Sequence, residues 1–199
     1  MTIENFRLSD LITYAYDIKD YELLGEPSWA DIDRYNISAR VADGVPLTRE
    51  AARPMMRALL ADRFQLKTHT EMKEMPVYAL VVAKDGPKIR ESPSGAEKLL
   101  TLQSKGKGAV MTVTSGDMAQ LASQFSKRNS VDRPVIDKTD LTGTYDYKLE
   151  WGDDTAADID PRLVSVFTAF QEQLGLRLQP ARAPVPVLIV DRAEKPSEN

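Results

Sequence analysis

Apolar and polar positions change rhythm along this chain, and each change marks an element. Leu11, Ile12, Tyr14 and Ala15 recur at helical spacing after a short apolar start at 6–8, which predicts a helix through Tyr16 with Ser9 as N-cap. Tyr35, Ile37, Ala39 and Val41 then alternate with Arg34, Asn36, Ser38 and Arg40, the period of a strand with one wet face. Thr48 predicts the cap of a second helix carrying Met55, Met56, Leu59 and Leu60, and Pro54 within it predicts a later start or a bend. Two strands follow, over 64–70 and 76–83, joined by the polar stretch Glu71-Met72-Lys73-Glu74.

The same order then returns. Val110 to Thr114 alternates like a strand, and Ser115 or Gly116 starts a helix with Met118, Leu121, Ala122 and Phe125 on one face. Pro134-Val135-Ile136 is a short extended piece. Tyr145, Tyr147, Leu149 and Trp151 alternate as Tyr35 to Val41 do, 110 positions later. Asp160-Pro161 predicts the start of a helix carrying Leu163, Val166, Phe167, Phe170 and Leu174 and closed by Gly175. Strands over 176–178 and 185–190 end the pattern, with Pro186-Val187 standing 110 positions after Pro76-Val77. The expected fold is α+β: a strand-helix-strand-strand-helix-strand-strand unit present twice, giving two mixed or antiparallel sheets, each packed on two helices. The first unit is expected at 1–84 and the second at 109–193, with a polar tail at 194–199. Between them, 85–108 reads as a basic linker, since six Lys or Arg face three acids over 84–108.

Composition narrows the chemistry. At 199 residues and 42% hydrophobic content the chain can bury a sizeable core. The absence of cysteine excludes disulfide scaffolds, thiolate metal sites and cysteine nucleophiles. A net charge of −4 argues against a nucleic-acid partner. The longest apolar run, Met75 to Ala83, is far below the ~20 residues of a transmembrane segment. The opening residues lack the basic start and apolar core of a secretory signal.

Individual motifs mostly resolve to scaffolding. His69, the lone histidine, falls on a strand; a general base would need an orienting acid and a nucleophile that the sequence does not place. Ser104-Lys105-Gly106-Lys107 matches S-x-x-K but lacks its S-D-N and K-T-G companions. Asp153, Asp154, Asp158 and Asp160 lack EF-hand spacing, and Gly86, Gly95, Gly106 and Gly108 fit neither phosphate-loop pattern. Met55, Met56, Met72 and Met75 read chiefly as core filling. No catalytic, cofactor-binding or metal-ligating residue is assigned, and no cofactor is expected. Trp29 sits in a turn, where it either plugs a core edge or anchors a partner; with Asp137, Lys138 and Thr139 it is the candidate lining of a ligand or partner surface.

Several strings together resemble one family. They are Gly25-Glu26-Pro27-Ser28-Trp29, the run from Leu59 to Lys67, the run from Pro76 to Lys84, Arg133-Pro134-Val135-Ile136-Asp137-Lys138-Thr139 with Leu141-Thr142-Gly143, the run from Phe167 to Leu176, and the tail from Glu194. The chain resembles, from about Phe6 onward, a soil-associated family of uncharacterised proteins expanded in acidobacterial genomes. The resemblance carries no activity, cofactor or site residue. It implies an exported, periplasmic or secreted domain, in some members fused behind a membrane metallopeptidase of the β-lactam-sensor type. A fainter likeness, to the short N-terminal domains of secretins and outer-membrane receptors, rests on element order alone.

The function expected is therefore that of a non-catalytic binding or sensor domain for a peptide, a cell-wall fragment or a protein partner. Its surface would be the groove between units or a sheet edge that accepts a peptide strand. The alternatives are a hydrolase of cell-wall or polymeric material built around His69 or paired carboxylates, and a purely structural or oligomer-forming module.

Overall fold

The computed structural model describes residues 2–38, 48–105, 108–128, 130–152 and 163–196. Among them the fold is mixed α+β. In chain order the elements are β1 (Thr2–Arg7), α1 (Leu8–Tyr16), β2 (Leu23–Leu24), β3 (Arg34–Ser38), α2 (Arg49–Arg63) and β4 (Lys67–Val82). They continue with β5 (Arg90–Glu91), β6 (Leu99–Lys105), β7 (Gly108–Gly116), α3 (Met118–Ser126), β8 (Val135–Asp137), β9 (Tyr145–Gly152), α4 (Val166–Ala169) and β10 (Leu176–Arg192). They form a two-stranded sheet β1-β3, a mixed sheet β2-β10-β4-β8 and a sheet β5-β9-β7-β6 with antiparallel pairings throughout, where two sheets were expected.

Two compact units divide the chain, one of residues 1–73 with 184–199, the other of residues 74–183. The first has a core of Leu8, Leu11, Ile12, Ala15, Leu23, Met56, Leu60 and Phe64, closed by Leu188 and Val190 from the far end of the chain. The second packs α3 residues Met118, Leu121 and Phe125 and the α4-side residues Val166 and Phe170 on Met111, Val113, Tyr147, Leu149 and Trp151. Apolar burial of this kind stabilises each unit by about 1.5–3 kcal/mol per large side chain.

Several sequence expectations shift. Residues 71–74 do not interrupt a strand pair: β4 is one strand, and its run from 69 to 72 is exposed throughout, so both faces are wet and the alternation disappears. Residues 176–192 are likewise one strand. The stretch 85–108, expected as a connector, contains β5 and β6. Arg7, not Ser9, stands at the N-cap of α1, and its backbone N–H and its guanidinium both donate to the Asp10 carboxylate, while Ser9 donates to Asp31 Oδ1 at 2.6 Å. Asp117 caps α3, accepting from Gln120 N, and Ser165 caps α4, accepting from Thr168 N. Asp160 and the neighbouring aspartates lie outside the described residues. Thr48 does cap α2, accepting from Ala51 N, so the helix starts at Arg49 and not later; it runs through Pro54, which leaves the Glu50 carbonyl without its helical donor. Of the methionines, Met56 is buried but Met55 and Met72 are exposed.

Gly175 ends the α4 segment at φ +64, and a Cβ there would run into the Gly86 carbonyl oxygen and stand 2.8 Å from Lys88 N. The close approach exists because Lys88 N donates to Leu174 O at 2.8 Å and Ala83 N to Gly175 O at 2.9 Å. Gly175→Ala adds left-handed strain of about 1 kcal/mol and an overpacking cost of about 1–3 kcal/mol. A fall of several degrees in the thermal midpoint is expected, by calorimetry.

Candidate functional site

Each sheet ends in two edge strands, and a free edge offers unpaired main-chain groups to another chain. Among the described residues most edges are blunted. β2, β5 and β8 are two or three residues long. β1 carries Glu4 and Arg7 and is broken by an irregularity at Asn5, whose φ is 62°; β3 carries exposed Arg34. β6 differs. It is seven residues long, and from Leu99 to Ser104 it has no charge, proline or glycine. Leu99 is 57% and Leu102 45% exposed.

The support behind β6 is continuous. It pairs with β7 from Leu99↔Thr114 to Lys105↔Gly108. Leu100 and Leu102 lie opposite Val113 and Met111, both buried, so the even positions share the core face, and Leu100 packs on the core. Leu99, Thr101 and Gln103 occupy the other face. Just before the strand, Lys98 Nζ meets Asp117 Oδ2 at 3.2 Å, while Asp117 Oδ1 accepts from Gln120 N at 2.7 Å. The Gln120 N–H, helped by Lys98, holds the Asp117 carboxyl below its ordinary range.

β7 in turn is pinned to β9 at its irregular end. Ser115 has φ 54°, and its N–H donates to Asp146 Oδ1 at 2.9 Å. Ser92 Oγ donates to the same oxygen at 2.5 Å, and that hydroxyl is the main cause of a lowered Asp146 pKa. Burial pushes the Tyr147 phenol up.

The residues singled out from sequence lie elsewhere. Trp29, in a 3-10 turn over Ser28–Asp31, packs half-buried against the first unit's core, with Lys195 Nζ 5.7 Å from its ring centroid. Asp137, Lys138 and Thr139 belong to the second unit. Asp137 Oδ1 accepts from Thr139 N and Oγ1 at 2.9 and 2.8 Å, and the Thr139 hydroxyl accepts from Leu141 N at 3.2 Å. Two of these three side chains thus close a turn. Lys138 is exposed, and its N–H donates to Leu80 O.

His69 is half exposed on β4, with Nδ1 2.8 Å from Asp191 Oδ1 and Nε2 4.0 Å from Glu71 Oε2. Such solvated pairs contribute about 0–1 kcal/mol. No group of three or more acidic or histidine side chains among the described residues is placed to hold a metal. No helix among them is long and apolar enough to cross a membrane.

Composition conceals β6 in the sequence, although Leu99, Leu100 and Leu102 stand close together. Lys84, Lys88, Arg90, Lys98, Lys105 and Lys107 around it gave the whole stretch a linker's composition.

No curated protein and no solved structure matches the chain. The sequence signature of a family described as proteins of unknown function, DUF3738, spans residues 9–193, and the chain belongs to that family.

Proposed function

We propose that this chain is a non-catalytic interaction domain, working outside the cytoplasm, which binds an extended segment by adding it as a further strand along the open edge of β6. The observation that carries the reading is the uncharged run Leu99–Ser104 on a strand paired on one side, with Leu99 and Leu102 exposed. In strand addition the main chain supplies affinity and alternate side chains supply selectivity. Here Leu102 would select on one face, and Leu99, Thr101 and Gln103 on the other. The location outside the cytoplasm rests on the family resemblance. His69 and Asp191 form an oriented pair, but the imidazole is half in water, where the fields that general bases depend on are screened.

The test is an array of synthetic extended peptides with alternating apolar and polar residues, titrated against the wild type and a Leu99→Lys/Leu102→Lys variant. Charges on an edge strand discourage addition. The variant should lose at least about tenfold in affinity, roughly 1.4 kcal/mol, with its thermal midpoint nearly unchanged. Peptides that bind both proteins equally would defeat the reading.

We also propose that the chain descends from a duplicated β-α-β-β-α-β segment. The support is positional. β1-α1-β2-β3-α2-β4 and β7-α3-β8-β9-α4-β10 follow one order. Phe6↔Tyr35 and Gly116↔Tyr145 are matching pairs 110 positions apart. Asn5 and Ser115 both have positive φ and donate their N–H groups to the side chains of Asn36 and Asp146, again 110 apart.

A further inference from the structure

We infer that the segment taken up by β6 is β6 of a second copy of this chain, so that two copies join antiparallel about a two-fold axis into one continuous eight-stranded sheet. The inference rests on strand addition at β6 and names the partner.

The strand's pattern is self-complementary. A two-fold axis perpendicular to the sheet keeps each face on its own side, so even positions must meet even positions and odd must meet odd. With the axis at Thr101, Thr101 faces its own copy. Leu100 then faces Leu102 of the second copy, and Leu102 faces Leu100, giving two reciprocal apolar pairs on the core face. On the other face Leu99 meets Gln103 twice. Cross-strand pairs of this kind are what stabilise a sheet junction. Shifting the axis by one residue would instead place Leu100 opposite Leu100 with Leu102 opposite Lys98, or Leu102 opposite Leu102 with Leu100 opposite Ser104. Neither alternative makes both Leu–Leu pairs.

Charge points to the same partner. The protein carries a net −4, so two copies repel at long range. Along Leu99–Ser104 there is nothing to repel, because the run is uncharged. Lys98, which would stand opposite Ser104, is already paired with Asp117 at 3.2 Å. Like charges directly opposite each other destabilise a strand pair, and this edge brings none together. Leu99 and Leu102, among the exposed large hydrophobic residues, sit in the strand that would be covered.

The natural absence of cysteine gives a direct experiment. Directly opposite residues in an antiparallel pair have Cα atoms about 4.5–5.5 Å apart, within disulfide or short bis-maleimide reach. Thr101→Cys should therefore cross-link to its own copy under mild oxidation or with a short bis-maleimide. Gln103→Cys in two copies would be displaced by four residues along the strand, about 13 Å, and should cross-link far less. In parallel, light scattering over a concentration series should give a dimer mass for the wild type and a monomer mass for Leu99→Lys/Leu102→Lys. A dimer that survives the double substitution, or cross-linking as strong at 103 as at 101, would overturn the inference. A monomeric wild type whose peptide capture is still lost in the double variant would also overturn it, while leaving strand addition itself intact. If neither a second copy nor any peptide adds at β6, both fall.

Discussion

Replacing Phe125 with alanine is expected to remove about 3–5 kcal/mol of stability, among the largest losses from a single side chain in the second unit. Phe125 is fully buried on α3. Its ring stands edge-on to Phe170 at 4.8 Å between centroids and tilted against Trp151 at 5.2 Å. The Arg128 guanidinium lies 5.7 Å from the same ring and 5.8 Å from that of Trp151. Burial lowers the Arg128 pKa, so this cation has given up part of its hydration for aromatic faces. Truncation to alanine therefore opens a cavity bordered by two aromatic rings and withdraws one face from a desolvated charge. The aromatic pairs contribute about 0.5–1.5 kcal/mol each beyond their area. Against the 5–15 kcal/mol typical of whole domains, such a loss brings the unit close to unfolding at physiological temperature. Urea denaturation followed by tryptophan emission measures it, and Phe125→Leu, which keeps most of the volume but forfeits both ring pairs, should lose less, about 1–3 kcal/mol. Equal behaviour of the two variants would show that the site relaxes around the missing ring.

The sequence conveyed the helices and half-buried strands well because their burial has a period. Leu11, Ile12 and Ala15 lie on the buried side of α1, and Tyr145, Tyr147, Leu149 and Trp151 alternate inward on β9 as their spacing says. Where both faces meet water the period vanishes, so the polar middle of β4 read as a connection. Pairing across long separations leaves no local trace either. Nothing in Leu23-Leu24 announces Leu188 and Ile189 as their neighbours, or in Val135-Ile136-Asp137 announces Tyr78 to Leu80. The candidate site was hidden for a third reason. An edge strand needs few apolar residues, and the lysines around β6 outweighed Leu99, Leu100 and Leu102 in any window long enough to average over. Trp29 and Thr139 stood out as residue types, and the structure shows their side chains engaged within their own units.

Ending the chain at Ala183 is expected to dissolve the first unit while leaving the second folded. The first unit consists of residues 1–73 and 184–199, so its core depends on a segment more than a hundred residues away in sequence. That segment brings Leu188 and Val190, 7% and 6% exposed, into the core, and pairs Leu188 and Ile189 in parallel with Leu23 and Leu24. It also supplies Glu194 N to Phe64 O at 2.7 Å and Lys195 Nζ to Asp33 Oδ2 at 2.6 Å beside Trp29. Two buried side chains at about 1.5–3 kcal/mol each, with a strand's worth of hydrogen bonds at roughly 0.5–1.5 kcal/mol apiece, match the whole margin that holds a unit of this size together. The second unit loses nothing from its core, whose residues run from Tyr78 to Leu178. Residues 74–183 expressed alone should therefore unfold cooperatively with Trp151 emission as the probe, whereas residues 1–73 alone should be rapidly proteolysed. In a chain of residues 1–183, amide exchange should be fast in α1 and α2 and slow in α3 and β9. Retained protection of α1 in that chain would mean that the first unit's core closes without Leu188 and Val190.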